Sequence, residues 1–292
     1  MAKKRPADKR SVRIRYRKRN VNALNIVINP HPKGRYIELF QSAVDKKVVF
    51  AFYGKRSGFV SSFSKARDNL HRGTLALFTD IDLARTWLDF QTGQPATEDD
   101  VLKISIPQNL RPEYHSVPFV FDSEMHRMIF VSNELGVQSA RKLISGLLGN
   151  PAVVGSDAQL EVTIVQDADK LDAMLNERNI VELTIEINLP NADSLAEVES
   201  ELFERLQGMK SKKLSQVFEA DSSKSLVPDK RAKLLGEVAL NNGKVETKVK
   251  TEQGMVERST LDSPKTRKLI YDPQSSAELD ALQSMYQSFF KK

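Results

Sequence analysis

Three side chains have the types and order that phosphodiester hydrolysis needs: Asp229, which follows Pro228, then Glu246 and, two residues on, Lys248. Two carboxylates can hold Mg²⁺, which activates water and offsets the charge of the transition state. On a strand, a lysine two residues after an acid shares its face, so Lys248 would support the nucleophile that Glu246 helps to position. Ahead of this pair stands Asn241-Asn242-Gly243, and Asn-Gly supplies the positive φ angles of a tight hairpin. Strands are therefore expected over 237–240 and 244–249. Two observations favour a solvated strand face instead. Asp45-Lys46-Lys47 repeats the acid-x-Lys pattern with no catalytic context, and Asp229 lies outside the hairpin.

Other chemistries lack their groups. The chain has no cysteine, which excludes thiol nucleophiles, disulfides and thiolate metal sites. The four histidines, His31, His71, His115 and His126, form none of the HxH, HxxxH or HExxH spacings that put two ligands on one helix or strand face. His115 and His126 read as surface residues beside a hairpin. There is no Gly-x-Gly-x-x-Gly, P-loop or Gly-x-Ser-x-Gly, so no small-molecule cofactor and no metal is expected.

The charge is unevenly placed. Net charge is +6, yet residues 1–20 hold ten Lys or Arg against Asp8 alone, while the other 272 hold 34 basic residues against 37 acidic ones. Such a segment attracts polyphosphates or anionic surfaces, because neutralised phosphates release counterions. A solvated, disordered tail over 1–10 that aids solubility is the alternative. After it, Arg13, Arg15, Arg17 and Arg19 alternate with Val12, Ile14, Tyr16 and Lys18. Period two predicts a strand over 11–29 with four guanidinium groups on one face, about 6.6 Å apart.

The elements that would carry these groups follow from periodicity. With 292 residues, 40% hydrophobic and 28% charged, the chain has globular composition and length for about two units. No apolar window is long enough for a membrane span, and the basic start is not followed by the apolar stretch of a secretory signal, so a cytoplasmic protein is expected. Residues 11–110 read as a β-rich unit with a helix at Tyr36, Leu39, Phe40, Ala43 and Val44. Strands are expected over 48–53, 74–78 and 86–90, with a basic turn at Gly54-Lys55-Arg56-Ser57-Gly58. Residues 111–292 read as an α+β domain. A hairpin over 117–122 and 127–131, a helix to Leu148, a strand over 160–165, a helix capped by Asp167 and a strand over 181–189 give the order ββαβαβ. A mixed sheet with helices on one face is the economical arrangement. A further helix is expected from Ser194, capped with Glu197. A mobile loop is expected over about 208–230, and a helix from Ser275 docks on the body through Leu279, Leu282, Met285, Tyr286, Phe289 and Phe290.

From Thr97 onward the order and pattern resemble RexA, the DNA-binding family of phage superinfection exclusion. The residues carrying this are Ala96-Thr97-Glu98-Asp99-Asp100-Val101, Val117-Pro118-Phe119-Val120-Phe121-Asp122, Ile129-Phe130-Val131, the helix ending at Leu148, and the strand-helix-strand over 160–189. The resemblance implies a homodimer that binds DNA without marked sequence preference and signals through a separate membrane protein. It covers about two thirds of the chain and excludes the first hundred residues, so no DNA-contact residue transfers there. From charge alone, the expected contacts with double-stranded DNA are Lys3, Lys4, Arg5, Lys9, Arg10, Arg13, Arg15, Arg17 and Arg19, aided by Lys55, Arg56, Lys210, Lys212 and Lys213. Tyr16 alone is an interleaved aromatic, which favours backbone contacts over base stacking. Three readings stand: a non-catalytic DNA-binding defence protein, an Mg²⁺-dependent nuclease using Asp229, Glu246 and Lys248, and an adaptor whose tail binds an acidic partner.

Overall fold

The computed structural model describes residues 15–30, 32, 34–107, 109–156, 158–189, 197–221 and 224–290. Within them the chain runs β1 (Arg17–Asn29), α1 (Arg35–Asp45), β2 (Phe50–Tyr53), β3 (Arg56–Arg67), β4 (Leu70–Thr79), β5 (Leu88–Asp89), β6 (Gln94–Pro95), α2 (Glu98–Leu102), β7 (His115–Asp122), β8 (Arg127–Val131), α3 (Val137–Leu148) and α4 (Pro151–Val154). It continues through β9 (Gln159–Ile164), α5 (Ala168–Leu175), β10 (Ile180–Asn188), α6 (Glu197–Gly208), β11 (Lys213–Glu219), α7 (Lys230–Asn242), β12 (Gly243–Thr251), β13 (Gly254–Ser259), β14 (Thr266–Tyr271) and α8 (Glu278–Phe290). The fold is α+β, as its patterning predicts.

β1 organises the larger sheet, whose order is β14-β1-β8-β7-β4-β3-β2, with β9 pairing β1 beyond the end of β14. Residues from Val21 to Ile28 are buried on both faces. Leu24, Ile26 and Ile28 pack with Leu39 and Phe40 of α1 and Leu143, Ile144 and Leu147 of α3. Val21 and Ala23, on the other face, share a core with Leu282, Tyr286 and Phe289 of α8. α3 touches β2 and β9, which stand at opposite sides of the pairing order, so the sheet curls around α1 and α3.

The smaller sheet has the order β11-β10-β12-β13. Leu183, Ile185 and Ile187 of β10 and Val245 and Val249 of β12 face Leu202 and Leu206 of α6 and Leu235, Val238 and Ala239 of α7. Gln166 joins the two sheets: its backbone N–H donates to Leu240 O at 3.0 Å and its Nε2 to Gly243 O at 2.8 Å. Every named ladder is antiparallel, where a mixed sheet is expected from sequence.

Several expectations are corrected by this arrangement. The Asn241-Asn242-Gly243 hairpin is instead the end of α7. Asp229 caps that helix, and Ala232, Leu235, Gly236 and Ala239 recur at helical spacing on its buried face. Gly243 is extended, with φ −177, and is required by contact: a Cβ there would lie 1.8 Å from the Glu186 carbonyl oxygen. The hairpin of this region is β12–β13, closed after Thr251. Arg56, Ser57 and Gly58 belong to β3, and the turn is only Gly54-Lys55. The loop expected over 208–230 contains β11, an edge strand with weak alternation because only Leu214 reaches the core. The strand expected over 86–90 is reduced to β5.

Residues before and after position 110 share one sheet through the β4–β7 ladder. Helices cover both of its faces, because β7 carries the unbroken apolar run Val117 to Phe121. His126 is 2% exposed, with its ring stacked on Tyr36 at 4.0 Å, and is not a surface residue. α8 begins at Glu278 and docks on the body of the same chain, as expected. The Ser194 cap lies outside the described residues. Among the described residues no helix is long and apolar enough to cross a membrane.

Candidate nucleic-acid interface

Of the cations expected to contact DNA, Lys3, Lys4, Arg5, Lys9, Arg10 and Arg13 lie outside the described residues. Arg15, Tyr16, Arg17 and Lys18 are exposed where the chain enters β1. Ladder register places Arg17 and Arg19 on the face of Val21, opposite Tyr271 and Leu269 of β14. This is the face that α8 covers. Arg19 is therefore committed within the chain: its Nε donates to Glu278 Oε1 at 2.8 Å, and the Tyr271 hydroxyl donates to the same oxygen at 2.9 Å. The Glu278 hydrogen bond, opposed by a smaller desolvation cost, shifts the Arg19 guanidinium further toward its charged form. Lys18 lies on the other face, paired with exposed Ile270 and next to Lys268. The alternation is legible in sequence; that one arginine of the row anchors a helix is not.

Lys55 and Arg56 come to the same end of this sheet. The antiparallel order sets the start of β1 beside the end of β8, the start of β7, the end of β4 and the start of β3. Four strand spacings separate β1 from β3, about 19 Å. Between them, the Asn20 N–H donates to Asn133 Oδ1 at 2.9 Å, and Arg56 donates to the Glu134 carbonyl at 3.2 Å while its guanidinium stands over the Phe52 ring.

Lys210, Lys212 and Lys213 are elsewhere. Lys212 and Lys213 line a cleft with Asn29, Gln159 and Glu161, at the far end of β1. That strand has 13 residues, so they stand about 40 Å from Arg17. Lys213 also donates to Glu186 Oε2 at 2.7 Å.

The hydrolytic trio is not brought together. Asp229 Oδ1 accepts the Ala232 N–H at 2.7 Å and caps α7, a helix of 13 residues and about 20 Å that ends just before β12. Glu246 and Lys248 do share a face of β12, since Val245, Thr247 and Val249 are buried on the other. That face is a charge lattice. Lys248 reaches Glu182 at 2.9 Å and Glu257 at 3.8 Å, and Lys244 reaches Glu246 at 2.8 Å. The hydrogen bonds that Lys248 and Lys244 donate to Glu182 and Glu246 respectively raise the pKa of each lysine, so both stay protonated and neither is suited to take a proton from water. Among the described residues no group of three or more His, Asp or Glu could hold a metal ion. Glu182 and Glu186 alternate visibly in β10, but their partners follow from cross-strand register, which one strand does not encode.

These features define an α+β protein of two main antiparallel sheets and a small β5–β6 ladder, with a basic segment entering the end of the largest. The chain belongs to the family described as Domain of unknown function (DUF4747), whose model matches residues 17–287, from the first residue of β1 into α8. No curated protein matches it.

Proposed function

We propose that this protein binds double-stranded DNA by its phosphate backbone, without sequence preference and without cleaving it. The observation that carries this is the segregation of charge: ten Lys or Arg in residues 1–20 against one acid, in a chain whose remainder is net acidic. β1 continues that segment to the strand end where Lys55 and Arg56 emerge, so one phosphate run could touch both. The pairing of Lys244 and Lys248, and the use of Asp229 as a helix cap, weigh against hydrolysis. The resemblance to RexA supports a cytoplasmic homodimer in phage defence or superinfection exclusion, acting with a separate membrane protein.

The test is a titration of labelled duplex DNA across a salt series with Mg²⁺ present, the products run on a denaturing gel. Full-length protein is compared with a version lacking residues 1–14, a cut that leaves β1 whole. Intact DNA, with affinity that falls steeply with salt and a shallower slope after truncation, is the expected result. Cut DNA returns Glu246 to consideration, and no binding by either form at low salt overturns the proposal in favour of an adaptor.

A further inference from the structure

A second surface has the composition of an anion site and lies on the free edge of the larger sheet. β2 ends the pairing order, and a groove runs between it and α3. The Phe50 ring lies on Gly146 of α3, where a Cβ would stand 2.3 Å from the ring, so the approach of strand to helix depends on that glycine. Tyr53, 71% exposed, flanks the groove from the strand side, and Arg141 and Lys142, both exposed, flank it from the helix. Among the described residues no carboxylate lines it. Arg141 feels the charge of Glu161, a carboxylate outside the groove lining whose pKa desolvation raises. Among the described residues neither cation is held in a close ion pair of the kind that engages Lys213, Lys244 and Lys248.

We propose that this groove binds single-stranded nucleic acid, with Tyr53 stacking a base and Arg141 and Lys142 holding the neighbouring phosphates. An exposed aromatic beside exposed cations is the combination by which single strands are held with little sequence preference. The competing occupant of an edge strand is an extended peptide, which needs a regular ladder of free backbone groups. β2 offers four residues and an irregularity in register between Ala51 and Tyr53, a poor template for strand addition. The site shares no residue with those assigned to duplex contact, but Tyr53 is the cross-strand partner of Arg56, so the duplex probe is the control that separates the two readings.

The experiment measures fluorescence anisotropy of a labelled oligothymidylate of about 12 nucleotides, within the usual site size, and of a labelled duplex, on the full chain. Tyr53→Ala, at an exposed position, is expected to weaken oligothymidylate binding about tenfold and to leave duplex binding within about twofold. Tyr53→Phe restores the single-strand affinity, and Arg141→Gln with Lys142→Gln lowers it and flattens its salt dependence. Unchanged oligothymidylate affinity in Tyr53→Ala overturns the proposal, as does equal loss for both probes. Displacement of oligothymidylate by polyglutamate at equal charge also overturns it, because stacking then contributes nothing. An unsubstituted chain that binds oligothymidylate but not the duplex refutes the duplex reading and leaves this one intact.

Discussion

Both sheets carry lysine or arginine at alternate positions along a strand, and the two rows have different fates. On the open face of the smaller sheet, Lys213 and Lys248 each meet a glutamate of a neighbouring strand within 3 Å, and Lys244 lies between Glu246 of its own strand at 2.8 Å and Glu186 of the next at 3.9 Å. At the end of the larger sheet, Arg15 and Lys18 stand exposed in a stretch where Asp8 is the one acid among the first twenty residues. Counting cations treats these surfaces alike. What separates them is whether register delivers a counter-charge from the next strand, and a row that receives one has spent its attraction for outside anions. Arg19 shows both behaviours meeting in one strand: it belongs to the basic row by sequence and to the helix dock by contact.

Substitutions in each region test whether this division holds. The largest effect is expected from Gly243→Ala, which drives a methyl group into the Glu186 carbonyl and should cost at least about 3 kcal/mol in urea unfolding. A smaller loss would mean that the α7–β12 junction can relax, and that the lattice register is less fixed than described.

Next, Arg15→Gln with Lys18→Gln should lower duplex affinity about tenfold at moderate salt and reduce the salt slope by nearly two. Asp229→Ala removes the cap of α7 and should cost about 1 kcal/mol without changing DNA affinity. A drop in affinity with stability intact would give Asp229 a role beyond the cap.

A pH series probes the core of the larger sheet. Burial lowers the His71 pKa, so the folded state resists a proton that the unfolded chain accepts below about pH 6.5. The stability due to neutral His71 is complete above that value and is lost as pH falls. His71→Phe, which keeps the stack on Phe63, should be less sensitive to acid between pH 7.5 and 5 in thermal melts. The smallest effect is expected from Lys244→Gln with Lys248→Gln, for which duplex affinity stays within about twofold, because these charges are already matched. A tenfold loss would break the comparison.

The same division explains how much was legible in sequence. The β7–β8 hairpin, α1, α3, α5 and α8 were readable because each carries a complete local period, as in Tyr36, Leu39, Phe40 and Ala43. α7 was missed because Asn-Gly outweighed a helical repeat of small and aliphatic residues, and the turn signal marked a helix end instead. β11 was missed because an edge strand needs little apolar alternation. In the candidate sites, the basic row and the shared face of Glu246 and Lys248 were local facts. Their partners, Glu278 for Arg19 and Glu182 for Lys248, come from distant segments, and pairing at a distance leaves no trace in either segment alone.

The docking of Glu278 on Arg19 also has a consequence for assembly during translation. The two residues are 259 positions apart, and β14, which completes the edge beside Arg17, lies nearly as far along. While the chain is being made, the basic strand end emerges first and waits for its neighbour. Until β14 and α8 arrive, Val21 and Ala23 lack the cover of Leu269, Leu282, Tyr286 and Phe289 on that face, so the nascent protein carries a positive, partly open apolar strand. Closure of the sheet is then a late, high-contact-order event, and chains halted before residue 266 should be recognisable to chaperones and proteases by that open edge.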